Sequence, residues 1–423
     1  MSRFWFFLFL LCAPALTVFA AEPPPLPPLG KPGETIYQTA VPLQKPKKSV
    51  DRIDGGLNHV VFSLWLPEDE PSIRGIYLMP FNITGVEQEQ SRAMCRHWKF
   101  ALVGSNFMRV DKAEFGATLL AGLKDLATQS KHPEIAHAPL IAASMSAGVG
   151  MCVSLAEQLP DRFIACGLAC LEVGPETRRT SGVPMMSIFG ERDGRQMSQH
   201  EELLPKRRTD FDSKWAITVQ WDRKHEWGQS NNLFWPFFDE VIRQRLPADA
   251  SPVDGPVRLR PVDPDSVWYG NPTTWTSAAA TIAPAKSYSD AKSTACWLPG
   301  PQTAHVWQAF VARKPLLRIV SPMPQGDKRP LSTYGVKDRI AVLIAADSAL
   351  ADGKIELYDG GNLLTTGEMK DHQLTLEIGP LPLGIHTLIA RTASTADLVG
   401  LSRPVVVLVV QEPKKADSDR FQP

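Results

Sequence analysis

Pro139-Leu140-Ile141-Ala142-Ala143 is followed by Ser144-Met145-Ser146-Ala147-Gly148 and then by Val149-Gly150-Met151-Cys152-Val153-Ser154-Leu155-Ala156. An apolar run, a short turn centred on a serine and a helical run make the layout of a nucleophile elbow. There a strained strand-to-helix turn projects the serine Oγ above the end of a sheet. The strand and the helix pass close together, so the residues two before and two after the serine must be small. Ser144 and Gly148 meet that demand, with Ser144 standing where the motif usually has glycine. Ser146 is therefore the candidate nucleophile. Two alternatives stand beside it: Ser146 as an ordinary helix N-cap, and Ser144 as the nucleophile, which leaves Gly148 without a reason.

Around this stretch the chain alternates strand and helix from about Val50 to about Pro247. His59 to Leu66, Gly75 to Met79 and Phe100 to Gly104 read as strands before the elbow. Phe163 to Leu168, Pro184 to Phe189 and Trp215 to Trp221 read as strands after it. Thr84-Gly85-Val86-Glu87 and Asp111-Lys112-Ala113-Glu114 both fit the capping-box pattern. The first predicts a helix through about Trp98. The second predicts a helix carrying Phe115, Leu119, Leu123 and Leu126 on one face. Apolar runs alternating with helices predict an α/β fold, a doubly wound and mostly parallel sheet covered on both faces.

A serine nucleophile needs a base, and the base needs an orienting acid. In an elbow of this type they follow in the order serine, acid, histidine, each just past a strand. Pro184 to Phe189 runs into Gly190-Glu191-Arg192-Asp193-Gly194, and Trp215 to Trp221 runs into Asp222-Arg223-Lys224-His225-Glu226-Trp227-Gly228. Asp193 is the candidate acid and His225 the candidate base. Glu172 is the substitute acid and His200 the rival base.

With this constellation, about Asp54 to Leu246 resembles the α/β-hydrolase superfamily. It is most similar to secreted, lidless members: feruloyl esterases, acetylxylan esterases, polyhydroxybutyrate depolymerases and dienelactone-hydrolase relatives. The resemblance implies catalytic roles for Ser146, Asp193 and His225. It also implies an oxyanion hole made by the backbone N–H of Ala147 and an N–H from the loop after Met79. Pro80 has no N–H, so Phe81 is the expected second donor and Asn82 the next choice. The His-Gly familiar at this turn is absent. The implied enzyme is a serine hydrolase of the carboxylesterase type, with neither cofactor nor metal expected. Only 47 residues separate Ser146 from Asp193 and 32 separate Asp193 from His225. That spacing leaves little chain for a lid and suits esters on bulky or polymer-borne substrates. A serine peptidase of the same fold and a catalytically inactive binding protein are the competing classes.

Residues 251–313 carry Trp268, Trp275, Trp297 and Trp307 and read as an irregular extension packed on or linked to the hydrolase domain of 50–250, with one helix from Pro301 to Arg313. From 314 to 412 the pattern is all-β: about seven short strands and an Asp359-Gly360-Gly361-Asn362 hairpin turn predict a sandwich. Lys354 to Gly360, Leu383 to Ala390 and Ser402 to Val407 resemble bacterial immunoglobulin-like domains. Such a domain is expected to act as a spacer or to contact protein or cell-surface material.

Arg3, the apolar run from Phe4 and the Val18-Phe19-Ala20 site predict a signal peptide over 1–20 and a secreted or periplasmic protein. A retained anchor is the alternative. No transmembrane segment is expected after signal removal. A Pro-rich linker follows over 21–49, and residues 413–423 read as a disordered tail. Lysine and arginine number 45, as do aspartate and glutamate, so the formal net charge is zero. With no basic stripe, nucleic acid is not an expected partner. Cys95, Cys152, Cys166, Cys170 and Cys296 remain after the signal. They fit no zinc spacing and read as small core residues, with no disulfide assigned.

Overall fold

The computed structural model describes residue 26 and residues 28–43, 59–68, 70–107, 111–171, 178–194, 196–276, 279–323, 331–350, 353–392 and 400–411. The expected signal peptide, the C-terminal tail and Glu172 lie outside the described residues. No helix among the described residues is long and apolar enough to cross a membrane.

The first part of the chain builds one eight-stranded sheet. Its elements are β1 (Tyr37–Pro42), β2 (His59–Trp65), β3 (Gly75–Met79), α1 (Glu89–Trp98), β4 (Phe100–Ser105), α2 (Phe115–Ser130), β5 (Leu140–Met145), α3 (Ala147–Gln158), β6 (Phe163–Ala169), β7 (Met185–Gly190), α4 (Gln196–Phe211), β8 (Trp215–Gln220) and α5 (Asn231–Arg245). The strand order is β1-β2-β4-β3-β5-β6-β7-β8. β1 and β2 run antiparallel to their neighbours, and the rest are parallel. This is the doubly wound, mostly parallel sheet expected from the α/β-hydrolase resemblance. Every residue of β2, β3, β4, β6, β7 and β8 is buried. Burial on both faces is why these strands read as continuous apolar runs.

The order places a topological switch between β3 and β5. The chain leaves β3 for β4 on one side, then crosses back to β5 on the other. The connections diverge there, and the carboxyl ends of the strands at such a switch point are the place where open α/β sheets bind ligands.

Two local expectations are corrected. Tyr37–Pro42, which falls within the expected linker of 21–49, is a sheet strand paired along its length with β2. The Thr84 capping box does not form. Ile83–Glu87 is a separate 3-10 turn, α1 starts only at Glu89, and Thr84 Oγ1 donates to Asn82 Oδ1 at 3.0 Å. In the second box Asp111 accepts from Ala113 N–H and caps a short 3-10 turn. α2 then follows with Phe115, Leu119, Leu123 and Leu126 buried.

The extension is more regular than its sequence suggests. β9 (Trp268–Gly270) pairs with β10 (Ile282–Pro284) and β11 (Cys296–Leu298) in a small antiparallel sheet, and α6 spans Pro301–Phe310. It covers the outer edge of β8. The Ile217 N–H donates to Cys296 Sγ at 3.4 Å, and the Ile217 carbonyl accepts from Trp307 Nε1 at 2.9 Å. An open strand edge is a template for association, and here side chains from 79 and 90 residues away satisfy it. On α5, Glu240 accepts from Thr303 N–H at 2.8 Å and anchors the start of α6.

The last part is a sandwich of β12 (Leu317–Ser321), β13 (Ser332–Gly335), β14 (Ile340–Ala346), β15 (Lys354–Asp359), β16 (Asn362–Glu368), β17 (Gln373–Ile378), β18 (Gly384–Thr392) and β19 (Val405–Val410). One sheet has the order β12-β14-β17 and the other β13-β19-β18-β15-β16. The Gly360-Gly361 hairpin forms, with Asp359 opposite Asn362 and Gly360 at φ +54°. Alternate residues of β18 and β19 divide between two cores, as a period of two requires. Leu388, Ala390, Val405, Val407 and Val409 fill the sandwich. Ile385, Ile389, Val406 and Leu408 join the core of the first domain. The domain is thus docked by a sheet face.

Candidate active site

Ser146 occupies the single-residue turn between β5 and α3, with φ 55° and ψ −128°. A non-glycine residue in that region is strained by about 1–3 kcal/mol. The turn is held from below by the Ser146 N–H, which donates to Ala169 O of β6 at 2.9 Å. The small flanks have a direct steric reason. A Cβ on Gly148 would stand 2.9 Å from the Cβ atoms of Ser144 and Phe81 and would collide with Ser144 Oγ. Ser144 is itself buried, at 8% exposure, with its hydroxyl packed against Gly148, whereas Ser146 is half-buried at the apex.

The same contact puts the Phe81 backbone beside the elbow at the switch point. Ala147 is the first residue of α3, and the first N–H groups of a helix have no intrahelical acceptor. The Asn82 N–H donates to Met79 O at 3.3 Å. No acceptor engages the Phe81 N–H among the described residues. Of the two donors considered from the sequence, Phe81 is the one whose N–H is uncommitted.

Asp193 and His225 follow β7 and β8, which are adjacent and parallel. His225 Nδ1 lies 3.0 Å from both Oδ1 and Oδ2 of Asp193. The Asp193 side chain is 11% exposed and that of His225 is 41% exposed. A carboxylate only accepts, so Nδ1 carries the proton and Nε2 is the basic nitrogen. No hydrogen bond joins Ser146 Oγ to His225 among the described residues. Such bonds are often long before substrate binds. His200, the rival base, lies on α4, and its side chain lies outside the described residues.

The loops carrying the acid and the base are fastened to one another. Glu191 N–H donates to Gln220 O, Arg192 N–H to Arg223 O, and the Arg192 guanidinium meets Asp222 at 2.6 Å. Gln220 holds the far side of the His225 loop by donating to Trp227 O and accepting from Gln229 N–H. Sequence reasoning missed Gln220, since a buried glutamine at a strand end carries no motif.

It also missed Cys170, which was read only as a core residue. Cys170 sits just past β6 with φ 61°, and its thiol donates to Glu226 O, the carbonyl after His225, at 3.1 Å. Its Sγ, an Asp193 carboxylate oxygen and a His225 ring nitrogen lie within 4.8 Å of one another. Those three atoms are the donor set a metal would find among the described residues. Burial, followed by the Asp193 charge, pushes the Cys170 thiol up to about 12. The thiol therefore stays protonated at neutral pH and Nδ1 is taken by Asp193, which suits a hydrogen-bonded cluster better than a ligand set. All five described cysteines are free and buried.

No family model matches the chain, and no curated protein matches it. Solved structures do. A cold-adapted esterase from an Arctic intertidal metagenomic library is 15% identical, covering 51% of this chain and 96% of its own with a TM-score of 0.37. The dienelactone hydrolase from Anabaena variabilis is 14% identical, covering 51% and 99% with a TM-score of 0.35. The fibronectin(III)-like modules of Clostridium thermocellum CbhA are 19% identical, covering 23% and 99% with a TM-score of 0.20.

Proposed function

We propose that this chain, which has the α/β-hydrolase fold followed by a β-sandwich, is a secreted serine hydrolase that cleaves carboxylic esters through Ser146, His225 and Asp193. The observation that carries the reading is the Asp193–His225 pair at the tips of β7 and β8. It stands at the same end of the sheet as a strained serine on a strand-to-helix turn.

The chemistry follows from these positions. His225 Nε2 takes the Ser146 proton as Oγ adds to the ester carbonyl. Asp193 keeps the proton of Nδ1 in place and stabilises the imidazolium. The N–H groups of Ala147 and Phe81 receive the negative charge that develops on the carbonyl oxygen. The imidazolium returns the proton to the departing alcohol, which leaves an acyl group on Ser146. Water, deprotonated by His225, then releases the acid. The spacing of 47 residues from Ser146 to Asp193 and 32 from Asp193 to His225 leaves little chain for a lid, which favours bulky or polymer-borne esters.

A fluorophosphonate probe followed by peptide mapping tests the nucleophile, and p-nitrophenyl acetate and butyrate test turnover. The wild-type chain is expected to label at Ser146 and to hydrolyse the esters, and Ser146→Ala to do neither while keeping its fold. Label elsewhere, or activity retained by Ser146→Ala, would overturn the assignment. Faster cleavage of a matched p-nitroanilide than of the ester would turn the reading toward a peptidase.

A further inference from the structure

A groove of about 1370 Å³ lies at the end of the sheet away from Ser146. Lys124 of α2 and Lys131, which follows its last residue, form one side. His137 before β5, Arg162 before β6 and the segment 256–259 complete it. β5 and β6 run from this end to the tips that carry Ser146 and Cys170. Six or seven residues of strand put about 20 Å between the groove and the ester site.

The charge of the groove is one-sided. Lys124, Lys131, Arg162, Arg179, Arg245 and Arg258 face a single carboxylate, Asp161. Lys124, Lys131, Arg179 and Arg258 are exposed and form no ion pair among the described residues. Arg162 and Arg245 are over nine-tenths buried, at 9% and 8% exposure. Arg162 donates to Ala136 O and Ala138 O. Arg245 donates through Nε to Arg260 O at 3.2 Å and through Nη1 to Phe163 O and Ile164 O at 2.8 and 2.6 Å. Its Nη2, with two further N–H groups, has no acceptor among the described residues. It is not sealed in the interior either. Burial pushes both guanidinium groups down to about 10, where they remain cationic at neutral pH. A buried cation is costly without enough opposing charge; Asp161 is the single carboxylate against these six cations, so an anion entering the groove would relieve that cost. Most of the remaining wall is apolar, with Leu120, Ala127, Leu159, Val257 and Leu259, beside Thr128 and Gln158.

Charge and lining together specify the ligand. We propose that this groove binds an amphipathic organic anion, its carboxylate or phosphate head beside Arg245 and Arg258 and its apolar body along Leu159 and Leu259. Neither group alone accounts for the site: inorganic phosphate would leave the apolar wall wet, and a neutral alkyl chain would leave the cations unpaired.

The test is calorimetric titration of the full chain with dodecanoate, dodecyl phosphate, dodecanol and a dodecyltrimethylammonium salt, each below its micelle-forming concentration. At least one of the two anions is expected to bind, and the stronger of them identifies the head group. The alcohol and the ammonium salt are expected to bind far more weakly. Arg258→Glu and Lys131→Glu alter exposed side chains that hold no backbone carbonyl, so the fold should survive, as circular dichroism will check. Arg258→Glu should weaken the anion by about tenfold or more, the worth of one charge-assisted contact, and Lys131→Glu should weaken it less, through the charge of the groove alone. Ser146→Ala should bind the anion unchanged, which separates this groove from the ester site. Equal binding of the ammonium salt, indifference to both charge reversals, no binding of either anion, or loss of binding in Ser146→Ala would each overturn the proposal.

Discussion

Gly190, the last residue of β7, lies directly beneath the carbonyl of Arg223: a Cβ on Gly190 would stand 2.5 Å from Arg223 O and would also strike Lys224 O. The loop that carries His225 therefore rests on the strand that delivers Asp193, and the absence of a side chain sets the spacing between them. Gly190→Ala must lift the His225 loop by a fraction of an ångström to an ångström. A misplacement of that size at a catalytic group lowers the rate by about 10²-fold. The expected outcome is a fall of that order in kcat for p-nitrophenyl butyrate, with little change in the circular dichroism spectrum. A variant with wild-type kcat would show that the contact does not position His225.

The thiol beside the acid and the base gives a second prediction. Burial raises all five described cysteines, and Cys170 and Cys296 are pushed up to about 12. Alkylation requires the thiolate. Iodoacetamide at neutral pH should therefore leave ester turnover unchanged. Mass spectrometry should find these five residues unmodified in the native chain and modified after denaturation. Label on Cys170 in the native chain would show that its thiol is neither sealed nor held protonated as burial implies.

How much of this was readable in advance depended on whether the cause was local. The strands β2 to β8 were legible because burial on both faces writes an apolar run into each of them. The candidates Ser146, Asp193 and His225 could be picked out because each follows such a run, in a fixed order, and the pairing of Asp193 with His225 is the part the structure shows. Tyr37–Pro42 was hidden: a short strand inside a Pro-rich segment has no run of its own, and its pairing with β2 is a tertiary fact. α4 is polar along most of its length and contains Pro205, so its helical period is weak. Thr84 matched the capping box, yet its hydroxyl was taken by Asn82 in the turn that follows β3. Gln220, Cys170 and the cations of the groove act only through chain neighbours brought together by the fold.

The extension provides a stability prediction. Trp307 is fully buried and bonds Ile217 O on the edge strand β8. Trp307→Ala removes a large buried ring and leaves that carbonyl with only the longer contact from the Cys296 thiol at 3.5 Å. Loss of a buried aromatic of this size costs about 3–5 kcal/mol. Denaturant unfolding should register a fall of this order, and light scattering should detect association through the uncovered edge. If ester turnover at low temperature falls in proportion to stability alone, the extension serves the sheet rather than the chemistry. A variant as stable as the wild type would remove the edge-cover role.

The sandwich contains a titrating contact whose sign can be worked out. His386 on β18 meets Asp359 Oδ2 at 2.7 Å through Nδ1 and Pro382 O at 2.8 Å through Nε2. Burial pulls its pKa down, but the Asp359 hydrogen bond and charge and the Pro382 carbonyl outweigh that, so the folded-state value is raised above 6.5. A histidine whose pKa is raised on folding binds its proton more tightly in the native chain. The stability it contributes is then fully present below the unfolded value and is lost as pH rises through the folded one. Denaturation midpoints of the wild type and of His386→Gln, measured from pH 5 to pH 9, should therefore differ most at the acid end. The gap should close progressively as pH rises above 6.5. Asp359→Asn should remove most of that pH dependence, because it deletes the charge and one of the two acceptor oxygens that favour the imidazolium. A gap that widened with pH would mean that His386 is held neutral in the native chain, and the ion pair with Asp359 would have to be abandoned.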